Sequence, residues 1–163
     1  MIGSYRFLSV ATARSVHFVD LCPDEAELRE LADELRHLSI TVVYVDCARF
    51  AGAARTTTAV NVTGATQPPS GADPGEPHWT RWWDDLLSLS HKSHGLAIVL
   101  DNAFVLLERD RKFVTDLIEN FLQGATPWIR REIPCHLCLQ MVACPVVAQA
   151  LRPRRADDAG TDA

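Results

Sequence analysis

Ile40-Thr41-Val42-Val43-Tyr44-Val45-Asp46-Cys47 is β-branched and nearly continuously apolar. A run without alternation reads as a strand covered on both faces, which is the environment of a parallel sheet. Upstream, Val16-His17-Phe18-Val19-Asp20-Leu21 is a shorter strand candidate. Between the two, Pro23-Asp24-Glu25 has the proline and acids that favour a first helical turn, and Leu28, Leu31, Ala32, Leu35 and Leu38 recur at helical spacing. Strand, amphipathic helix and buried strand make a βαβ unit, whose crossover is right-handed by default.

Downstream the alternation continues. Leu96-Ala97-Ile98-Val99-Leu100 is a second buried strand, and Phe104-Val105-Leu106-Leu107 turns off the sheet. A helix over about 111–123 presents Phe113, Leu117, Ile118, Phe121 and Leu122, with Gly124 as a stop signal and Pro127 beyond it. Trp128 to Arg131 can add another turn. Ile133 to Met141 is the last strand candidate. The pattern predicts a three-layer α/β domain with a mainly parallel sheet of about four strands and helices packed on it.

A chain of 163 residues with 47% apolar content fits one domain. Residues 1–14 read as an N-terminal segment, 15–150 as the α/β domain, and 151–163 as a polar disordered tail. Residues 51–77, rich in Ala, Thr, Pro and Gly, read as a long flexible loop, unless an element lies near Ala59-Val60-Asn61-Val62. The net charge of -5 argues against nucleic acid as main ligand and suits a basic protein partner. No secretion signal and no membrane span is legible, so a cytoplasmic protein is expected. Five cysteines, an odd number, favour reduced thiols over a disulfide framework.

Most candidate chemistry fails on spacing. Cys135-x-x-Cys138 with His136 lacks a second ligand pair for zinc, and on a strand its two thiols point to opposite faces. Asp101 ends an apolar strand, yet the chain has neither G-x-x-x-x-G-K-S/T nor G-x-G-x-x-G to cradle phosphates, so Asp101 is expected to cap the following turn. No G-x-S-x-G elbow is present, and the histidines at 17, 37, 78, 91, 94 and 136 are scattered among strand, helix and loop candidates. No cofactor or catalytic set is expected.

His78-Trp79-Thr80-Arg81-Trp82-Trp83-Asp84-Asp85-Leu86-Leu87 stands apart, because it holds three of the four tryptophans. Read as a helix, Trp79, Trp82, Trp83, Leu86 and Leu87 line one face and Thr80, Arg81, Asp84 and Asp85 lie mostly on the other. Tryptophan at core spacing usually packs. Three indoles are hard to bury beside one helix, however, and a half-exposed indole next to carboxylates has the composition of a binding hot spot.

From Trp79 onward the chain resembles the barstar family of small cytoplasmic ribonuclease inhibitors. The resemblance is carried by the acidic helix Thr80 to Leu86, the strand Gly95 to Leu100, the helix Lys112 to Leu122 and the closing strand His136 to Leu139, with Val16 to Leu38 as a first strand and helix. It implies an inhibitor or immunity protein without catalysis, whose helix carboxylates stand in for RNA phosphate in a basic active site. By position, Asp84 matches the family's second inhibitory Asp and Trp83 the adjoining Trp. Partner-binding residues are then Trp79, Thr80, Trp83, Asp84 and Asp85. Thr80 stands where the family commonly has its first helix Asp, Gly75-Glu76-Pro77-His78 replaces the usual approach to the helix, and the strand Ile40 to Cys47 is additional. These departures direct the expectation to a nuclease or toxin other than barnase. The reading from another class is a degenerate nucleotide-binding or regulatory α/β domain using Asp46 and Asp101 at strand ends.

Overall fold

The computed structural model describes residues 5–12, 15–50, 60–61 and 94–151. Four strands, β1 (Val16–Val19), β2 (Thr41–Asp46), β4 (Leu96–Asp101) and β5 (Cys135–Gln140), form a parallel sheet, and a two-residue strand β3 (Val60–Asn61) joins its edge antiparallel. The strand order is β1-β5-β4-β2-β3. Among the described residues the helices are α1 (Glu25–His37), α2 (Phe104–Arg109), α3 (Arg111–Arg130) and α4 (Pro145–Leu151), with short 3-10 turns at Arg6–Ser9 and Cys47–Phe50.

The sheet is covered on both faces, which makes the architecture three-layered. Odd and even strand positions divide between two cores. On one face Val43, Val45, Leu96, Ile98, Leu100, Cys135, Leu137 and Leu139 pack under α2 and α3. On the other, Val42, Tyr44, Ala97, Val99 and Cys138 pack under α1, α4 and the N-terminal turn. The route of the chain explains the division. The crossover from β1 to β2 passes over two strands in one direction, while that from β4 to β5 steps one strand back, and crossovers of a single hand then carry their helices to opposite faces.

α1 begins where expected. The Asp24 side chain accepts from the Ala26 N–H at 2.7 Å, Glu25 and Glu27 occupy the first turn, and Arg36 and His37 the last. Leu28, Leu31 and Leu35 are buried, but Leu38 is exposed. The helix has already ended there, and Ser39, in the left-handed region at φ 57°, turns the chain toward Ile40.

The structure adds elements to the expected pattern and corrects one helix boundary. Phe104–Arg109 is a helix, with Leu106 buried against the α3 face of the sheet. α3 does not stop at Gly124; it runs through Gly124 and Pro127 to Arg130. A glycine and a proline inside a helix cost roughly 1 and 3 kcal/mol. Beyond them the extension places Ala125 and Trp128 at 0% exposure, and a buried tryptophan is worth about 3–5 kcal/mol against alanine. The two are of the same size, so the burial of Trp128 offsets the cost of carrying the helix through Gly124 and Pro127. The stretch 142–151 supplies a helix, α4, and Tyr5 and Leu8 ahead of β1 join the core. Within 51–77 the alternative of an element near Ala59-Val60-Asn61-Val62 holds: Val60–Asn61 is a strand that pairs with Tyr44 and Val43.

The cysteine expectation also changes. Cys22 and Cys144 form a disulfide, while Cys47, Cys135 and Cys138 are buried thiols. β1 and β5 are parallel neighbours, so the loops that follow them emerge side by side, and nothing in the spacing of 122 residues reveals that adjacency.

Candidate functional site

The carboxyl ends of the parallel strands gather a buried polar cluster on the α1 and α4 face. β2 and β4 are in register there, with Asp46 opposite Asp101. Tyr44, two residues before Asp46, therefore points to the same face, and its hydroxyl donates to Asp101 Oδ2. The other oxygen, Oδ1, accepts from the Asn102 N–H at 2.9 Å, so Asp101 does cap the turn that follows it. Asn102, at φ 54°, swings its amide back to donate from Nδ2 to Asp46 Oδ1 at 3.0 Å. Asp46 also accepts from the Ala48 N–H at 3.1 Å.

Asp101 is only 3% exposed. Burial pushes its carboxyl up from the usual range, the Tyr44 hydroxyl and the Asn102 N–H pull it down, and the Asp46 charge adds a smaller upward push. The neighbouring end of β5 carries Gln140, fully buried. Its Oε1 accepts from the Tyr5 hydroxyl, and its Nε2 donates to the Leu21 and Val142 carbonyls at 3.1 and 3.2 Å. Desolvation raises the Tyr5 phenol far above its ordinary value, so Tyr5 is a donor at any physiological pH.

Between β4 and β5 the chain leaves the sheet toward opposite faces, to α2 after β4 and to α4 after β5. Open α/β sheets commonly bind ligands at such a point. Here the Ala103 N–H donates to the Gln140 carbonyl at 2.9 Å and bridges the two strand ends. Among the described residues, the segments 20–24, 47–50, 102–103 and 141–144 contain no glycine, so none of them has the close-approach backbone of a phosphate cradle. Asp101 is committed to Tyr44 and Asn102, and Asp46 is the more accessible carboxylate. Among the described residues, no group of three or more His, Cys, Asp or Glu is placed to hold a metal ion.

A second cluster lies toward the amino end of β5 on the same face. His136 Nε2 sits 2.8 Å from the Val10 carbonyl, which can only accept, so that nitrogen carries the proton. In the neutral ring Nδ1 is then an acceptor, and His17 Nε2 donates to it at 3.2 Å. Phe7 stacks on His17 with ring centres 3.7 Å apart. Burial holds the His136 imidazole below its ordinary value. Two histidines that look unrelated in the sequence thus meet because β1 and β5 are neighbours. The buried Ser15 hydroxyl has no hydrogen-bond partner among the described residues.

Cys135 and Cys138 face opposite cores, as strand alternation requires. Trp79, Thr80, Trp83, Asp84 and Asp85 lie outside the described residues. Among the described helices, none is long and apolar enough to cross a membrane. Comparison with known protein families, curated proteins and solved structures finds no match to this chain.

Proposed function

We propose that this chain is a barstar-like ribonuclease inhibitor or immunity protein of the cytoplasm. It performs no catalysis and holds a basic nuclease or toxin through Trp79, Thr80, Trp83, Asp84 and Asp85. The observation that carries this reading is the sequence of that segment, which sets three indoles beside two adjacent carboxylates shortly ahead of the central strand β4. Carboxylates entering a cationic cleft make charge-assisted hydrogen bonds and speed association, and aromatic neighbours supply the desolvated anchor.

β1, β5 and β4, the strands that the resemblance covers, lie side by side, and the additional strand β2 is appended outside them with β3. The net charge of -5 fits a basic partner.

The test is co-purification from the native host followed by an RNA-cleavage assay with and without this chain. Asp84→Ala is expected to weaken the complex by about 2 kcal/mol or more. Unchanged affinity for an identified partner removes this segment from the interface. The nucleotide-binding alternative through Asp46 and Asp101 predicts calorimetric heat with ATP or GTP and magnesium, where the inhibitor predicts none.

A further inference from the structure

The Cys22–Cys144 disulfide joins two loops at the carboxyl end of the sheet. Cys22, between β1 and α1, is exposed; Cys144 is buried and immediately precedes Pro145, the first residue of α4. α4 has seven residues, too few to persist as an isolated helix. Its first turn closes on the Cys144 carbonyl, which accepts from the Val147 N–H at 3.1 Å, and that turn contains no acidic residue. A cysteine engaged in a disulfide offers no capping oxygen. What retains α4 is therefore the burial of Val147 and Leu151 against α1 and β2, together with the covalent tie at its start.

We propose that the Cys22–Cys144 bond is a redox latch on α4, opened by a low-molecular-weight thiol and closed by the corresponding disulfide. Opening consumes two thiols. A thiolate attacks Cys22 Sγ at the exposed end, the Cys22–Cys144 bond breaks, and Cys144 leaves as a thiolate that takes up a proton. A second thiol then attacks the mixed disulfide, leaving Cys22 as a thiol and releasing the oxidised small molecule. Two electrons pass from the small thiols to the protein. The sheet keeps its hydrogen bonds and the core under α2 and α3, while α4 is free to leave the surface of α1 and β2 that it covers, taking Val147 and Leu151 out of the other core.

The other cysteines do not interfere. Cys47, Cys135 and Cys138 are buried, and burial pushes the Cys135 and Cys138 thiols up to about 12 and Cys47 well up, so at neutral pH they are protonated and shielded. One pair of five sulfurs responds. This latch is independent of the inhibitor reading, since it concerns Cys22, Cys144 and α4, none of them in the tryptophan segment, and is read without a partner.

The test uses the full chain, oxidised with glutathione disulfide and then treated with dithiothreitol, followed by hydrogen exchange and iodoacetamide labelling read by mass spectrometry. Reduction is expected to label Cys22 and Cys144 alone and to speed amide exchange in residues 147–151 by about tenfold or more, with β4 and β5 unchanged. Cys22→Ser is expected to show the faster exchange without reductant and no response to it. Absence of a 22–144 linked peptide in the oxidised protein overturns the proposal. So does exchange in α4 that ignores reduction, or acceleration of β4 and β5 equal to that of α4, which marks a staple on the whole fold.

Discussion

The Tyr44 hydroxyl donates to the Asp101 carboxylate across two adjacent parallel strands, 57 residues apart in the chain. Removing that donor by Tyr44→Phe leaves a buried carboxylate oxygen short of a partner, and about 1–3 kcal/mol of stability at neutral pH is expected to be lost. The variant also shifts Asp101 further up, because the hydroxyl is the largest influence holding it down. The folded carboxyl titrates above its ordinary 3.8, so the unfolded chain gives up this proton first as pH rises. Asp101 then contributes stability below that value and loses it as pH rises through the folded pKa. Carbon NMR titration of the Asp101 carboxyl, which should show a higher midpoint in Tyr44→Phe, checks the shift.

His136 works in the opposite sense. Its imidazole is buried and held below the ordinary 6.5, so on acidification the unfolded chain takes up this proton first. Stability that depends on neutral His136 is whole above about pH 6.5 and drains as pH falls toward the folded value. His136→Gln is expected to flatten this part of the acid profile in urea titrations repeated between neutral pH and pH 5. An acid slope identical to that of the parent would exclude His136 as its source.

Gly95 ends the approach to β4 between Ile40 and Pro134. A Cβ there meets Ile40 Cγ1 at 2.9 Å and the Pro134 carbonyl oxygen at 3.1 Å, so one neighbour is a side chain and the other is backbone. Gly95→Ala is expected to cost about 1–3 kcal/mol through overpacking, read as a lower urea midpoint at unchanged slope.

Trp128 fills the core between α3 and the sheet at 0% exposure, beyond a proline that should have ended its helix. Trp128→Ala is expected to destabilise by about 3–5 kcal/mol and to let the helix end before Pro127. Helical content by circular dichroism, together with the denaturation midpoint, measures both effects. A small loss of stability with α3 intact would show that its last turns do not depend on this side chain.

The amino-acid sequence by itself determined the element types around which the protein is built. β-branched runs at 40–47 and 96–100 demanded strands covered twice, and leucines at helical spacing after Asp24 demanded α1, because period and burial are local properties of a chain. It also placed Cys135 and Cys138 on opposite faces. Only the tertiary structure decided which strands are neighbours. That choice created the His17–His136 pair, the Tyr44–Asp101 bond and the Cys22–Cys144 bridge, each between residues more than fifty positions apart. It also carried α3 through Gly124 and Pro127, since the gain from burying Trp128 is realised only when a sheet is present to receive it. Adjacency is a property of the packed whole, and local pattern carries no record of it.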